Sequence, residues 1–307
     1  KCNKKDLKLN WINTTWKQKF KCKKCNFCFV KKNRKNDTIR WDKIFNDWIA
    51  EWYSVRQLHL QYWKSKNVIL KEIEEKLDKN SINQINTVFN NVKYIMIDWT
   101  WISNDICLII YYDYINKKVI RFWFYPWERY EYIKKDLIHL RDDFGYNIEC
   151  FVVDGSRQIK KAINDIFPNI KIQRCLTHIH RQIKNNISNN PQSPCWKELQ
   201  KIIIFENFEN KELFIEKFNS WCKKWFYYLK EKTRKWDKSR FTHRKLRASR
   251  SHIKNAIPDM FHYLDNKSIK RSSNALEWLN WVLKWQITRH RWLKESRLIS
   301  FISLWIY

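Results

Sequence analysis

A chain of 307 residues with 44% hydrophobic side chains has apolar surface enough for one large core or several smaller ones, which excludes disorder as its general state. Its 61 Lys and Arg against 31 Asp and Glu give a net charge of +30, a balance that favours a polyanionic partner, nucleic acid first, although lysine drift from an AT-rich gene accounts for part of it. No apolar run reaches the roughly 18–20 residues of a membrane span and no charged-then-apolar leader opens the chain, so a soluble, intracellular protein with no membrane partner is expected.

The first segment carries Cys2, Cys22, Cys25 and Cys28. A C-x2-C knuckle, Cys22 and Cys25, preceded some twenty residues earlier by another cysteine, has the spacing of a zinc ribbon over residues 1–33, a module too small to fold without its structural Zn2+. Cys2 has no companion two residues upstream. Either a first ligand is missing before Lys1, or Cys28 or a nearby side chain completes the site. Cys107, Cys150, Cys195 and Cys222 read as buried thiols.

Residues 38–80 read as helices with a helix-turn-helix pattern. Ser54 caps a short helix through Tyr62, Trp63 sits at the tight turn, and Ser65 caps a second helix to about Lys76. Lys64, Lys66, Asn67 and Lys71 are then placed to face DNA; an ordinary pair of packed helices fits the pattern about as well.

An Asn-rich linker over residues 79–91 precedes a domain predicted from Val92 to the end, 92–307. Its elements read strand (93–102), strand (105–113), strand (117–125), helix (128–144), strand (148–153), helix (155–166), short strand (169–172) and helix (174–187). Three successive strands followed by alternating helices and strands make an α/β sheet with a meander at one side. From about 190 to 270 the signal is helical and strongly basic, centred on "KTRKWDKSRFTHRKLRASRSHIKN". A helical block, "SSNALEWLNWVLKWQITRHRW", and an amphipathic tail follow.

Two carboxylates stand out against this background. Asp98 interrupts the apolar run "YIMIDWTWI", where an unpaired charge costs several kcal/mol. Asp154 ends the apolar run "IECFVVDGS", where capping the next helix is a serious alternative. Strand ends are where α/β sheets hold ligands, so the two could converge on one metal ion. Glu277, one turn into the helix begun by Ser272 or Ser273, is the best third acid; Glu295 is the decoy nearby.

"IDWTW", "VVDGSRQIKKAI", "RCLTHIHRQI" and "SSNALEWLNWVLKWQITRHRWL" in this order resemble four successive motifs of bacterial insertion-sequence transposases of the Mutator-like superfamily. The resemblance covers nearly the whole chain. It implies an RNase H-like core with an all-helical insertion, Asp98, Asp154 and Glu277 as a DDE triad, and two Mg2+ ions, replaceable by Mn2+. The family's C-x2-H falls on Cys175 and His178, which lack two further ligands for zinc, so a structural or DNA-positioning role is expected of them.

The implied activity is Mg2+-dependent strand cleavage and strand transfer on double-stranded DNA, with terminal repeats and target DNA as partners. A homodimer or higher oligomer, cytoplasmic and nucleoid-associated, is implied with it. A catalytically inactive, transposase-derived DNA-binding protein is the alternative, and a structure-selective nuclease a third reading.

Two glycines against 19 tryptophans is a further anomaly, since glycine ordinarily makes up about 7% of a chain. Trp16, Trp63 and Trp292 stand where the local pattern asks for glycine, Trp99 stands at the family's glycine beside the first acid, and Trp278 and Trp281 crowd the third motif. The expectation is that the source reads UGA as glycine and that this sequence renders it as tryptophan.

Overall fold

Three short antiparallel strands, β1 (Leu7–Ile12), β2 (Gln18–Cys22) and β3 (Cys28–Val30), open the part of the chain that the computed structural model describes, which is residues 7–12, 18–30, 34–79, 89, 91–186, 191–235 and 238–306. Cys2 and Trp16 lie outside the described residues. The turn between β2 and β3 is closed by Asn26 N–H donating to Cys22 O and Cys22 N–H donating to Phe27 O, each at 3.0 Å, with Asn26 in the left-handed region at φ 55°. Cys22 is buried, whereas Cys25 and Cys28 are exposed.

Helices α1 (Arg34–Ile49), α2 (Val55–Tyr62) and α3 (Lys66–Lys79) follow. Ser54 accepts from Gln57 N–H while the Gln57 side chain accepts from Ser54 N–H, a reciprocal cap that fixes where α2 begins. Trp63 ends α2 in the left-handed conformation, at φ 53°, and Val68 N–H reaches Ser65 Oγ at 3.4 Å where α3 starts. Leu58, Ile69, Ile73 and Leu77 are buried between these helices, with Ile44 and Trp48 of α1. Residues Ser300–Trp305 of the C-terminal helix group with this first unit, where Phe301 meets Trp48 at 5.2 Å.

The second unit, from residue 83 to Ile299, is built on a five-stranded sheet. Strands β4 (Tyr94–Trp101), β5 (Cys107–Asp113) and β6 (Lys118–Tyr125) form an antiparallel meander, and β7 (Cys150–Val153) and β8 (Lys171–Arg174) add in parallel on the other side of β4, giving the order β6-β5-β4-β7-β8. Helices α4 (Tyr130–Asp142) and α5 (Arg157–Ile166) connect the parallel strands, and α6 (Leu176–Asn186) follows β8. On α5, Ile159, Ala162, Ile163 and Ile166 recur at helical spacing and are buried against Ile95, Ile97, Phe151 and Val153 of the sheet. A buried carboxylate, Asp136 of α4, accepts from Arg121 Nε and Nη2 at 3.1 Å, from Tyr125 OH at 2.9 Å and from Tyr111 OH at 3.1 Å.

The stretch from 191 to 273 has a core of its own. It holds α7 (Pro194–Ile202), α8 (Lys211–Lys224), α9 (Phe226–Lys230), β9 (Lys232–Lys235), β10 (Lys238–Phe241), α10 (Arg244–Ala256) and α11 (His262–Asp265). Leu199, Phe214, Phe218, Trp221, Leu246 and Ile253 pack together with Ile179 and Ile183 of α6. The all-helical expectation needs correction here, because β9 and β10 pair as an antiparallel hairpin. Its exposed faces are basic, so alternation between apolar and polar residues, the usual sign of a strand, is missing from "KTRKWDKSRF". Helices α12 (Asn274–Arg289) and α13 (Glu295–Ile306) end the chain.

Candidate functional site

Parallel pairing of β4 with β7 sets Ile97 beside Val153, so Asp98 and Asp154 are each the next residue on adjacent strands. Asp98 is half-buried. Its Oδ1 accepts from Trp99 N–H at 3.0 Å, and its Oδ2 accepts from Asn280 Nδ2 of α12 at 2.8 Å. Burial and the neighbouring Asp154 carboxylate raise its pKa to about 6, against the opposing pull of His178 and of its two hydrogen bonds. A neighbouring cation would offset the charge that burial penalises on Asp98.

Asp154 Oδ1 accepts from Ser156 N–H at 2.8 Å in the turn before α5, but the N-cap position of that helix is Ser156, so Asp154 does not cap it, and its charge is felt at Asp98. Gly155 follows at φ 99°, where a Cβ would lie 1.9 Å from Cζ of Arg174. The buried Arg174 guanidinium therefore occupies the space that any side chain at 155 would need. Burial lowers the Arg174 pKa, against the attraction of Asp154 and Asp259.

Glu277 sits in the first turn of α12 with its carboxylate divided between two partners on α6. Oε2 accepts from Arg181 Nη2 at 2.8 Å, and Oε1 lies 3.3 Å from Nδ1 of His178. Cys175 is fully buried at the start of α6, its Sγ accepting from Ser273 N–H at 3.3 Å. Burial raises the Cys175 thiol, but hydrogen bonds from His178 and Ser273 outweigh it and hold the pKa below the ordinary value. Burial likewise lowers His178, but Cys175, Glu277 and Asp98 outweigh it and hold the imidazole above its ordinary value. Cys175, His178 and Glu277 each offer a ligand atom within 4.8 Å of the others.

Asn280, Arg181 and Arg174 are the members that inspection of the sequence missed. Asn280 had a signal, since it lies three residues after Glu277 and shares its helical face. Glu295, the decoy, is exposed in the first turn of α13. Of the helix-turn-helix residues, Lys66, Asn67 and Lys71 are exposed on α3, while Lys64 is folded over the Trp41 ring at 5.6 Å. Among the described residues Cys22, Cys25 and Cys28 form no ligand cluster of three. Trp99 packs on Tyr125 at 6.2 Å. No helix among the described residues is long and apolar enough to cross a membrane.

A family model described as "Transposase, Mutator family" matches residues 116–293. No curated protein matches the chain.

Proposed function

The chain belongs to the Mutator family of transposases, and from that premise we propose that it cleaves and joins DNA strands with Asp98, Asp154 and Glu277 as its catalytic acids. The observation that carries this assignment is the parallel register that sets Asp98 of β4 beside Asp154, the residue after β7, with burial and Asp154 holding the Asp98 pKa above its ordinary value. The strand order β6-β5-β4-β7-β8, three antiparallel strands followed by two parallel ones, supports an RNase H-like core.

The donor set fits Mg2+, a hard ion that takes carboxylate oxygens. Asp98 and Asp154 would hold it, with Glu277 as third acid. When bound, it supplies the Lewis acidity that activates water and then a 3′-hydroxyl and stabilises the leaving oxygen. Asn280 orients Asp98 by fixing one of its oxygens. Arg181 donates to one oxygen of the Glu277 carboxylate and His178 stands beside the other, so these two residues set where the third acid lies. Arg174, pressed under Gly155, steadies the turn that carries Asp154.

Recognition of the element's terminal repeats falls to α2 and α3, with Lys66, Asn67 and Lys71 towards the DNA. The exposed Lys232, Arg234, Arg240, Arg244 and Lys245 of the hairpin and α10 offer phosphate contacts along the strand to be cut. A Cys22–Cys25 zinc ribbon completes the end-binding part. Bringing two ends together requires at least two copies of the chain.

The test uses DNA duplexes taken from the sequence flanking the gene. Nicking at one position in Mg2+ or Mn2+, abolished by chelation and by Asp98→Asn, Asp154→Asn and Glu277→Gln, is the expected result. End-specific binding without cleavage in any metal would make this copy an inactive, transposase-derived DNA-binding protein. Unchanged cleavage by Glu277→Gln would move the third acid elsewhere, Glu295 first.

A further inference from the structure

Cys175 and His178 are two ligands in search of more, and α12 delivers a third. Cys175 N–H donates to Val153 O at 2.9 Å, extending the β7–β8 ladder, and Leu176 N–H donates to Arg271 O at 2.9 Å. These bonds fix the start of α6 against the segment that leads into α12. His178, three residues on, falls on the same face of the turn as Cys175. Glu277 arrives from the other side, one turn after Ser273, whose N–H already points at the Cys175 sulfur.

The three donor atoms lie within 4.8 Å of one another, and His178 Nδ1 stands 3.3 Å from Glu277 Oε1. Zinc bonds of about 2.0–2.3 Å at tetrahedral angles put neighbouring ligand atoms roughly 3.3–3.8 Å apart, so a small closing movement suffices. His178 Nδ1 is buried and, although 3.3 Å from Glu277 Oε1, has no hydrogen bond of good geometry. Ser273 N–H on the sulfur is the outer contact that steadies a metal thiolate, while Arg181 engages Oε2 and Oε1 takes only a long 3.5 Å hydrogen bond from Ser273 Oγ, which a cation would displace. One thiolate, one imidazole and one carboxylate make a donor set for zinc-like ions and a poor one for magnesium.

We propose that Cys175 Sγ, His178 Nδ1 and Glu277 Oε1 form a binding site for a thiophilic divalent cation of the zinc class, with a fourth position open to water. Binding releases the thiol proton and any proton on the imidazole. The site differs from the Asp98–Asp154 pair in its chemistry but shares Glu277 with the catalytic set, so zinc held there withdraws a carboxylate oxygen from the acids and slows strand cleavage. That inhibitory consequence rests on the assignment of Glu277 as third acid; the binding itself does not.

Cobalt(II) is the probe, added to full-length, metal-stripped protein in which Cys2, Cys22, Cys25 and Cys28 are all replaced by Ser so that the ribbon is silent. One cobalt per chain with a thiolate-to-cobalt charge-transfer band is expected, lost on adding Cys175→Ser and weakened at least tenfold in affinity by Glu277→Gln. Absence of the band in the silenced protein with native circular dichroism, or its persistence in Cys175→Ser, overturns the site. If the silenced protein fails to fold, zinc stoichiometry of the intact chain against Cys175→Ser alone decides: a fall of one zinc supports the site, and no fall overturns it. In the cleavage assay, micromolar zinc over saturating Mg2+ should inhibit the wild type and spare Cys175→Ser. Equal inhibition of both would overturn the coupling to Glu277 while the cobalt result stands.

A different set of observations carries a second inference. Trp52 and Trp63 both adopt left-handed backbone, at φ 61° and 53°, a conformation that costs a bulky L residue about 1–2 kcal/mol, and the Trp63 indole is 89% exposed. The two glycines the chain does have, Gly145 and Gly155, also sit at positive φ. The geometry points to glycine at 52 and 63 in the natural protein, each encoded by a UGA codon that its source reads as glycine. Mass spectrometry of the peptide Gln57–Lys64 from the native source is decisive. Glycine at 63, with UGA in the gene, is expected; tryptophan in the peptide, or UGG in the gene, overturns the inference.

Discussion

Asn280 of α12 donates to Asp98 of β4 at 2.8 Å, joining residues 182 positions apart in the chain. The bond leaves Asp98 with one oxygen held by a helix and the other by its own strand, so the carboxylate has a single orientation. Asn280→Ala should preserve the fold and lower cleavage roughly 10- to 100-fold, because a partner that orients a metal ligand contributes on that scale. A Mg2+ titration checks it: half-saturation should move to higher Mg2+, and an unchanged Mg2+ requirement would remove Asn280 from the site.

Metal-free protein should gain stability from Asp98→Asn at neutral pH. The folded-state pKa of about 6 stands above the ordinary 3.8, chiefly through burial and then through Asp154. The native fold therefore favours the protonated acid. Its penalty is absent at low pH, grows between about pH 4 and 6, and is complete above 6, where it amounts to about 1–3 kcal/mol. Thermal melts without metal should show the variant several degrees more stable at pH 7.5 and equal to wild type near pH 3.5, with the gap narrowed by Mg2+. Equal melting at every pH would contradict it.

Asp136 is a structural acid and should behave differently. Arg121, Tyr111 and Tyr125 all point at it inside the core, so Asp136→Ala strands a buried guanidinium and costs about 3–5 kcal/mol. Urea unfolding measures this directly. Any surviving folded fraction should cleave DNA with an unaltered Mg2+ requirement.

Trp63→Gly should stabilise the first unit by about 1–2 kcal/mol, the cost of holding an indole-bearing residue at φ 53°. Destabilisation on denaturant titration would mean that the indole contributes packing that outweighs the backbone strain.

Lys66→Ala and Lys71→Ala should each weaken DNA binding at low salt and reduce the slope of log affinity against log salt by about 1. Lys64→Ala should do less, since its ammonium is engaged over the Trp41 ring. Binding isotherms at several salt concentrations separate the three, and equal slopes throughout would remove α3 from the interface.

Much of the second unit was legible because burial wrote it into the sequence. Strands β4, β5 and β6 are apolar runs, and Asp98 is conspicuous as the one charge within β4. The helix caps at Ser54 and Ser273 were readable as small polar residues before apolar periodicity. What stayed hidden depends on pairs distant in the chain. Nothing near Cys175 announces that Ser273 and Glu277 will come to it, and nothing near Glu277 announces Arg181. The β9–β10 hairpin was hidden for another reason: both strands are solvent-facing and cationic, so no apolar alternation marks them.

The Ile97–Val153 rung has one more implication. Since the two aspartates each follow a member of that rung, their spacing is set by backbone hydrogen bonds between parallel strands, and side chains in the intervening segment have no vote in it. Loops there can lengthen or shorten, and surfaces can be rewritten, without moving one acid relative to the other. Copies of such a gene accumulating mutations under weak selection should therefore lose activity abruptly, by replacement of an acid or collapse of the fold, and not by gradual loosening of the site.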